Sequence, residues 1–393
     1  MSKPPLFTRD FILASFSHLS FGIAMFLFLH FPGYLKELGA GEAQIGRIMA
    51  VNALGAMVCG PIVGRLLDVH GRRNMILAGA ALYTLSVGLY LTLDGIGPRV
   101  YLVRLLDGVG SITVYAGLFT FASDHVVESR RIEGLALFGA SGLVPMAVSG
   151  LMGDAILAQA TYTTLFATSL VFAAGTFILA VPLRDAPHVH EGRESSHGLR
   201  GPLTQPDLRP MWFISFSFFL AAVAIFTFLK TFVMKTGLGS VGSFFTAYSC
   251  VAVGLRVFFG RLPDRVGQLR VLGPALLAYS AGLAVLGIAD TPTAVLVAGL
   301  LCGCGHGYTY PILFSQVIGR ARPSDRGSAM GIYTTTDWMA HFVGPPLIGL
   351  AIESTGYGGS FVGLGFALAV AVAAFYAWDG NTARTSHVRD AEA

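Results

Sequence analysis

Charge is scarce in this chain. Only 12% of its 393 residues are Asp, Glu, Lys or Arg, against about a quarter in soluble domains. Hydrophobic residues make up 54% and mean hydropathy is +0.66. That leaves too little polar material to coat a soluble surface, which excludes an ordinary soluble globular protein. Cysteine is scarce too. Cys59, Cys250, Cys302 and Cys304 all fall in apolar runs, which excludes an extracellular disulfide framework. Cys302 and Cys304, two apart, would project to different faces of a helix and are read as small packing residues. A Gly-x-x-x-x-Gly-Lys-Ser/Thr loop is missing, so ATP-driven work lacks a phosphate cradle. No nucleophile–base set stands out, and neither an enzyme nor a cofactor is expected. A cleavable signal is also not evident. The first apolar run, about 25 residues long, exceeds a typical signal core and lacks a small-residue cleavage site, so it is expected to remain as the first helix.

Apolar runs are what the chain has in abundance. Each of about twelve runs is long enough to cross roughly 30 Å of hydrocarbon as a helix. The expected spans are 11–35, 43–68, 74–93, 99–122, 133–157 and 161–183, then 209–235, 241–262, 271–289, 292–318, 326–351 and 358–379. Their length favours helices over barrel strands, because a helix satisfies its own backbone in lipid. The expected fold class is therefore an all-α membrane protein with about twelve transmembrane helices in two pseudo-symmetric six-helix bundles. The expected boundaries are 1–183 for the first bundle, 184–208 for a polar cytoplasmic linker, and 209–393 for the second bundle with a short cytoplasmic tail. His188, His190 and His197 in that linker are read as solvated rather than as metal ligands. No metal site is expected. Most of the 26 Lys and Arg fall in loops on the side of the N-terminus, including Arg72, Arg73, Arg130, Arg131, Arg265 and Arg320. That bias predicts cytoplasmic termini. It also accounts for the formal net charge of +4 without a nucleic-acid partner.

The stretch Gly64-Arg65-Leu66-Leu67-Asp68-Val69-His70-Gly71-Arg72-Arg73 recurs half a chain later as Gly260-Arg261-Leu262-Pro263-Asp264-Arg265-Val266-Gly267. Two membrane-embedded halves with one shared motif is a common plan for secondary transporters. Gly64 and Gly260 would let neighbouring helices approach. Asp68 and Asp264, at helix ends, can accept from an adjacent helix N-terminus and pair with arginines.

Ionisable groups inside spans are expensive and usually face a cavity or a partner. Arg104 and Asp107 lie one turn apart in the fourth span, continued on one face by Ser111 and Tyr115. Asp337 and His341 are four apart in the eleventh. A carboxylate beside a histidine suits proton coupling, whereas a structural ion pair or a buried polar network is the plainer alternative for each pair. His18, Asn52, Lys230, His306 and Tyr310 are further cavity candidates. His30, near the outer end, is expected to meet water.

With twelve spans, a polar central linker, the repeated Gly-Arg-Leu-x-Asp-x-x-Gly loop and Arg104-Leu105-Leu106-Asp107-Gly108-Val109-Gly110-Ser111, the chain resembles the major facilitator superfamily over nearly its whole length. The fourth-span segment looks like that superfamily's Arg-x-x-Gln-Gly-x-Gly pattern, and resembles in particular the drug:proton antiporter-like bacterial members. The resemblance implies alternating access, with the motif residues Gly64, Asp68, Gly71, Arg72, Arg73, Gly260, Asp264 and Arg265 forming the cytoplasmic gate, and it links the Arg104 position to proton coupling. Asp107, Asp337 and His341 join Arg104 as expected coupling residues from their own placement inside spans, and Arg256 is expected to support the second motif loop as part of the gate. Departures exist: Asp107 replaces a Gln, Val69 and Gln268-Leu269 replace basic residues, and Val144 stands where antiporters place Gly before Pro145.

The expected function is a secondary transporter moving a small organic solute, with proton-coupled efflux ahead of solute import by symport or facilitated diffusion. A non-transporting receptor of the same fold is the alternative from another class. The expected partners are a small-molecule substrate, protons and the lipid bilayer, with the chain a monomer in a bacterial cytoplasmic membrane.

Overall fold

The computed structural model describes residues 7–126, 131–185 and 200–392. Most of the expected linker, with His188, His190 and His197, lies outside the described residues, as does Arg130. Every regular element among the described residues is helical.

The first half holds α1 (Arg9–Glu37), α2 (Glu42–His70), α3 (Arg72–Tyr90), α4 (Pro98–His125), α5 (Arg131–Gln159) and α6 (Tyr162–Ala180). The second holds α7 (Arg209–Thr236), α8 (Val241–Phe259), α9 (Gln268–Gly287) and α10 (Pro292–Arg320). One continuous helical stretch, Arg326–Glu392, follows, and it breaks at Gly356 (φ 75°) into α11 (326–355) and α12 (357–392). By length and composition alone, nine helical segments of the described residues can cross a membrane, and the last of these contains both α11 and α12.

Local chemistry sets these boundaries. Thr8 caps α1 by accepting from the Phe11 amide at 3.3 Å. Ser240 and Ser243 form a capping box that opens α8, and Thr291 caps α10. The last glycine of each motif copy makes the sharp turn into the next helix: Gly71 has φ 85° and Gly267 φ 105°, a region where side-chain-bearing residues are strained. The expected span 241–262 divides, and the expected span 11–35 is interrupted by a 3-10 turn at Phe28–His30. α8 stops at Phe259, and a one-turn helix, Leu262–Val266, carries the rest of the second motif.

Each half is built around one helix that meets its neighbours backbone to backbone. A Cβ added to Gly108 of α4 would lie 2.0 Å from the Asn52 carbonyl oxygen of α2, and one at Gly110 would lie 2.8 Å from the Tyr83 amide of α3. α10 repeats this at the same half-chain offset: Gly303 faces the Tyr248 carbonyl oxygen at 2.3 Å, and Gly305 faces Tyr279 at 2.6 Å. Small residues permit such contacts, and in lipid close packing is a main source of helix association.

The halves meet along α2 against α11, α5 against α8, and the last turns of α1 against α7. These seams are tight at the end remote from the motif loops, where Gly46 touches the Pro345 backbone and Gly150 touches Gly242. At the motif end the same helices are uncovered. Val58, Ile62 and Val69 of α2 and Val257, Phe258 and Phe259 of α8 are exposed, and Cβ atoms at Gly64, Gly254, Gly327 and Gly331 would meet nothing within 4 Å. The molecule is closed at one end and splayed at the other.

Candidate functional site

Between the halves lies a cavity of about 300 Å³ whose walls come from α1, α2, α3, α4, α7, α10 and α11. It brings together seven of the residues expected to matter: Asn52, Arg104, Asp107, His306, Tyr310, Asp337 and His341. Met25, Phe26, Phe28, Phe219, Phe226 and Trp338 give it a largely apolar and aromatic surface, the usual character of a small-molecule site with a few polar anchors.

Arg104 and Asp107 form the most enclosed polar group there, with 5% and 4% of their surface exposed. The Arg104 Nη1 donates to Asp107 Oδ2 at 2.8 Å and to the Tyr90 hydroxyl at 3.3 Å, and Tyr90 itself donates to Asp107 Oδ2 at 3.0 Å. Nη2 reaches the Met49 carbonyl at 3.5 Å, and the guanidinium lies 5.5 Å from the centre of the Phe31 ring. Arg104 Nε is buried without a hydrogen-bond partner. A charge this far from water persists only when its counter-charge and donors are held in place. Tyr90 supplies part of that hold, and the sequence reading did not find it, because it comes from α3 and not from the α4 face that carries the pair.

Asp337 and His341 are different in setting. Their side chains keep 29% and 33% of their surface, and one contact of 3.2 Å joins His341 Nδ1 to Asp337 Oδ1. The same Nδ1 lies 3.0 Å from the Asp337 backbone carbonyl. The His306 ring stacks parallel to Tyr310 at 5.9 Å, and its Nδ1 is buried without a partner.

The other candidates do not line this cavity, although Tyr115 lies within electrostatic reach of Asp337 and Tyr310. His18 packs on Phe138 (4.5 Å between ring centres) and Tyr115 (6.0 Å) in the first half. Tyr115 is 41% exposed. Lys230 lies against Gly33 of α1 at the closed end. His30 does not meet water: it is fully buried and bonds Asp154 of α5 at 3.1 Å. Spacing along the chain hid this pair, whose members are 124 residues apart.

The motif residues hold the first half to itself in this conformation. Arg72 bridges Asp68 (2.7 Å) and Asp124 of α4 (3.0 Å). Arg73 donates to the Val181 carbonyl at 2.7 Å, and its amide donates to Asp185 at 2.8 Å. Gly64 approaches no helix, and a Cβ at Gly260 would meet only the Arg256 backbone of its own segment. The close approach expected at both glycines is absent because the halves are splayed at that end. Arg256 reaches the Gly307 carbonyl of α10 at 3.1 Å instead of the loop it was expected to support. Asp264 and Arg265 are exposed.

The chain matches the family model described as Major Facilitator Superfamily over residues 11–337 and 211–392. It is 25% identical over 364 residues to an uncharacterized MFS-type transporter, PA1993, of Pseudomonas aeruginosa, covering 87% of each chain. Among solved structures it superposes on the POT family transporter PepTSo with a TM-score of 0.80 at 11% identity, covering 97% of this chain and 99% of that one. The nucleoside transporter NupG gives a TM-score of 0.72 at 13% identity, covering 94% and 99%. At such identities the structures speak for the fold alone. The family match spans most of the chain, and with the two-bundle architecture and central cavity it makes this a multi-pass membrane protein of the major facilitator superfamily.

Proposed function

We propose that this protein is a proton-coupled secondary transporter that exports a small organic solute by alternating access. One observation carries the reading. Carboxylates from both halves, Asp107 and Asp337, border the same cavity, each beside a basic group one turn away. Protonation cancels a carboxylate's charge and changes both its desolvation cost and its attraction to that neighbour. A group presented alternately to the two sides can thereby link proton movement to the rocking of the halves. Tyr310, His306 and the aromatic wall would hold the solute, and the motif residues would form the gate at their end of the molecule. The chain would act as a monomer in a bacterial cytoplasmic membrane, with the motif end, the linker and both termini in the cytoplasm.

Purified protein in proteoliposomes tests the coupling. A ligand-stabilisation screen first identifies a solute, because binding to the folded state raises apparent stability. An imposed pH gradient should then drive that solute uphill. Solute flux that ignores the gradient would remove the coupling and leave facilitated diffusion. Impermeant labelling of a cysteine introduced at Ser195 in intact cells would overturn the orientation.

A further inference from the structure

The closed end holds two matching contacts that cross between the halves. Asp154, near the end of α5 in the first half, accepts from the Gly242 amide at the start of α8 in the second, at 2.6 Å. Glu353, near the end of α11 in the second half, accepts from the Ala43 amide at the start of α2 in the first, at 3.0 Å. Gly242 and Ala43 are each the second residue of their helix. Their amides belong to a first turn, which has no partner inside its own helix. That turn also carries the positive end of the helix dipole, which favours a carboxylate.

The correspondence extends to packing. Four residues before each carboxylate is a glycine, Gly150 or Gly349, at which the opposite helix crosses. A Cβ at Gly150 would lie 3.0 Å from Gly242 Cα, and one at Gly349 would lie 2.3 Å from the Glu42 carbonyl oxygen. Gly-x-x-x-Asp and Gly-x-x-x-Glu therefore recur at the same place in the two halves, the glycine bringing the helix start within reach and the acid bonding it. The two copies keep different local company. Asp154 also bonds His30 of α1, and Lys230 of α7 lies nearby. At the other copy, Glu42 pairs with Lys36 at 2.7 Å.

We propose that Asp154 and Glu353 are paired positioning residues for transport: two symmetry-related latches, each a carboxylate of one half on a helix start of the other, that hold this end shut. Opening the end separates α5 from α8 and α2 from α11 and breaks both bonds. Each latch then biases the conformational equilibrium by the strength of one charge-assisted hydrogen bond, and the two act in parallel. The role follows from the alternating-access cycle proposed above. Its measurement is a distance and not a flux, so a failed latch and a failed proton coupling give separate results.

The experiment is electron-spin distance measurement between labels at Asp94 and Asp290, which are exposed in the α3–α4 and α9–α10 loops, in a protein without its four cysteines. Asp154→Asn and Glu353→Gln keep shape and remove charge. Each should raise the open-to-closed ratio at this end about tenfold, the lower range for one charge-assisted bond. The double variant should raise it about a hundredfold if the latches are independent. A double variant that elutes as a folded monomer and keeps the wild-type distance distribution overturns the proposal. Hydrogen exchange on the unmodified protein, read at single amides, gives the answer even if a variant fails to fold. Ala43 and Gly242 should exchange at least tenfold more slowly than Thr293, the corresponding first-turn position of α10. Equal rates at the three amides would also overturn it.

Discussion

Arg104–Asp107 and Asp337–His341 use the same chemistry at almost the same spacing, yet the protein treats them differently. The first pair is sunk to about one-twentieth exposure and tied to Tyr90 and Met49. The second keeps about a third of its side-chain surface and rests on its own helix turn. A carboxylate held by several fixed donors has little freedom to change its charge without disturbing the packing. One that is part-exposed and meets a single histidine is held by far fewer contacts. On the proposed coupling, the difference gives the sturdier role to the first pair and the switching role to the second.

The comparison breaks most visibly in transport. Asp337→Asn should abolish solute movement driven by a pH gradient while leaving downhill exchange, and Asp107→Asn should do so less completely. Proteoliposome flux with and without a gradient is the measurement. If both variants, alone and combined, keep the wild-type response, neither carboxylate couples protons. Stability should then sort the pairs the other way. Asp107→Ala leaves Arg104 buried without its counter-charge and should cost about 3–5 kcal/mol, whereas Asp337→Ala should cost about 1 kcal/mol or less. Denaturant unfolding in detergent compares them, and equal losses would erase the distinction. Asp68→Asn should slow flux several-fold with substrate affinity little changed, since Asp68 sits at the motif end and away from the cavity. Unchanged flux at normal expression would count against a gating role. One further variant sharpens the buried site: Tyr90→Phe should lower stability by about 1–2 kcal/mol, and no loss would mean that water replaces the hydroxyl.

Much of the fold was legible because membrane spans announce themselves by length and apolarity. α10 begins at Pro292 as expected, and the break between α11 and α12 falls in the expected gap. The cavity was legible wherever partners share a helix face, as Arg104 with Asp107 and Asp337 with His341 do. Contacts assembled between helices were not. Asp154 sits in Gly150-Leu151-Met152-Gly153-Asp154 with no basic residue one turn away, so its partners His30 and Gly242 had to come from distant segments. Only comparison with Gly349-Leu350-Ala351-Ile352-Glu353 could have pointed to it, because the two halves vary in the acid and share the glycine. Gly64 and Gly260 misled for the opposite reason. A motif states what a residue can touch, and the conformation decides whether it does.

The backbone contacts at Gly108, Gly110, Gly303 and Gly305 turn each bundle into a stiff lever. A side chain at any of these positions would overlap a neighbouring helix, so α4 and α10 cannot easily slide within their own halves. Movement is then left to the seams between the halves. α2, with 29 residues, is about 43 Å long at 1.5 Å per residue. A tilt of about 10° about one tip would therefore sweep the other through roughly 7 Å, by the same rise. On the proposed rocking of the halves, small adjustments at one end of a seam are thus magnified into a wide aperture at the other, with the geometry inside each bundle unchanged.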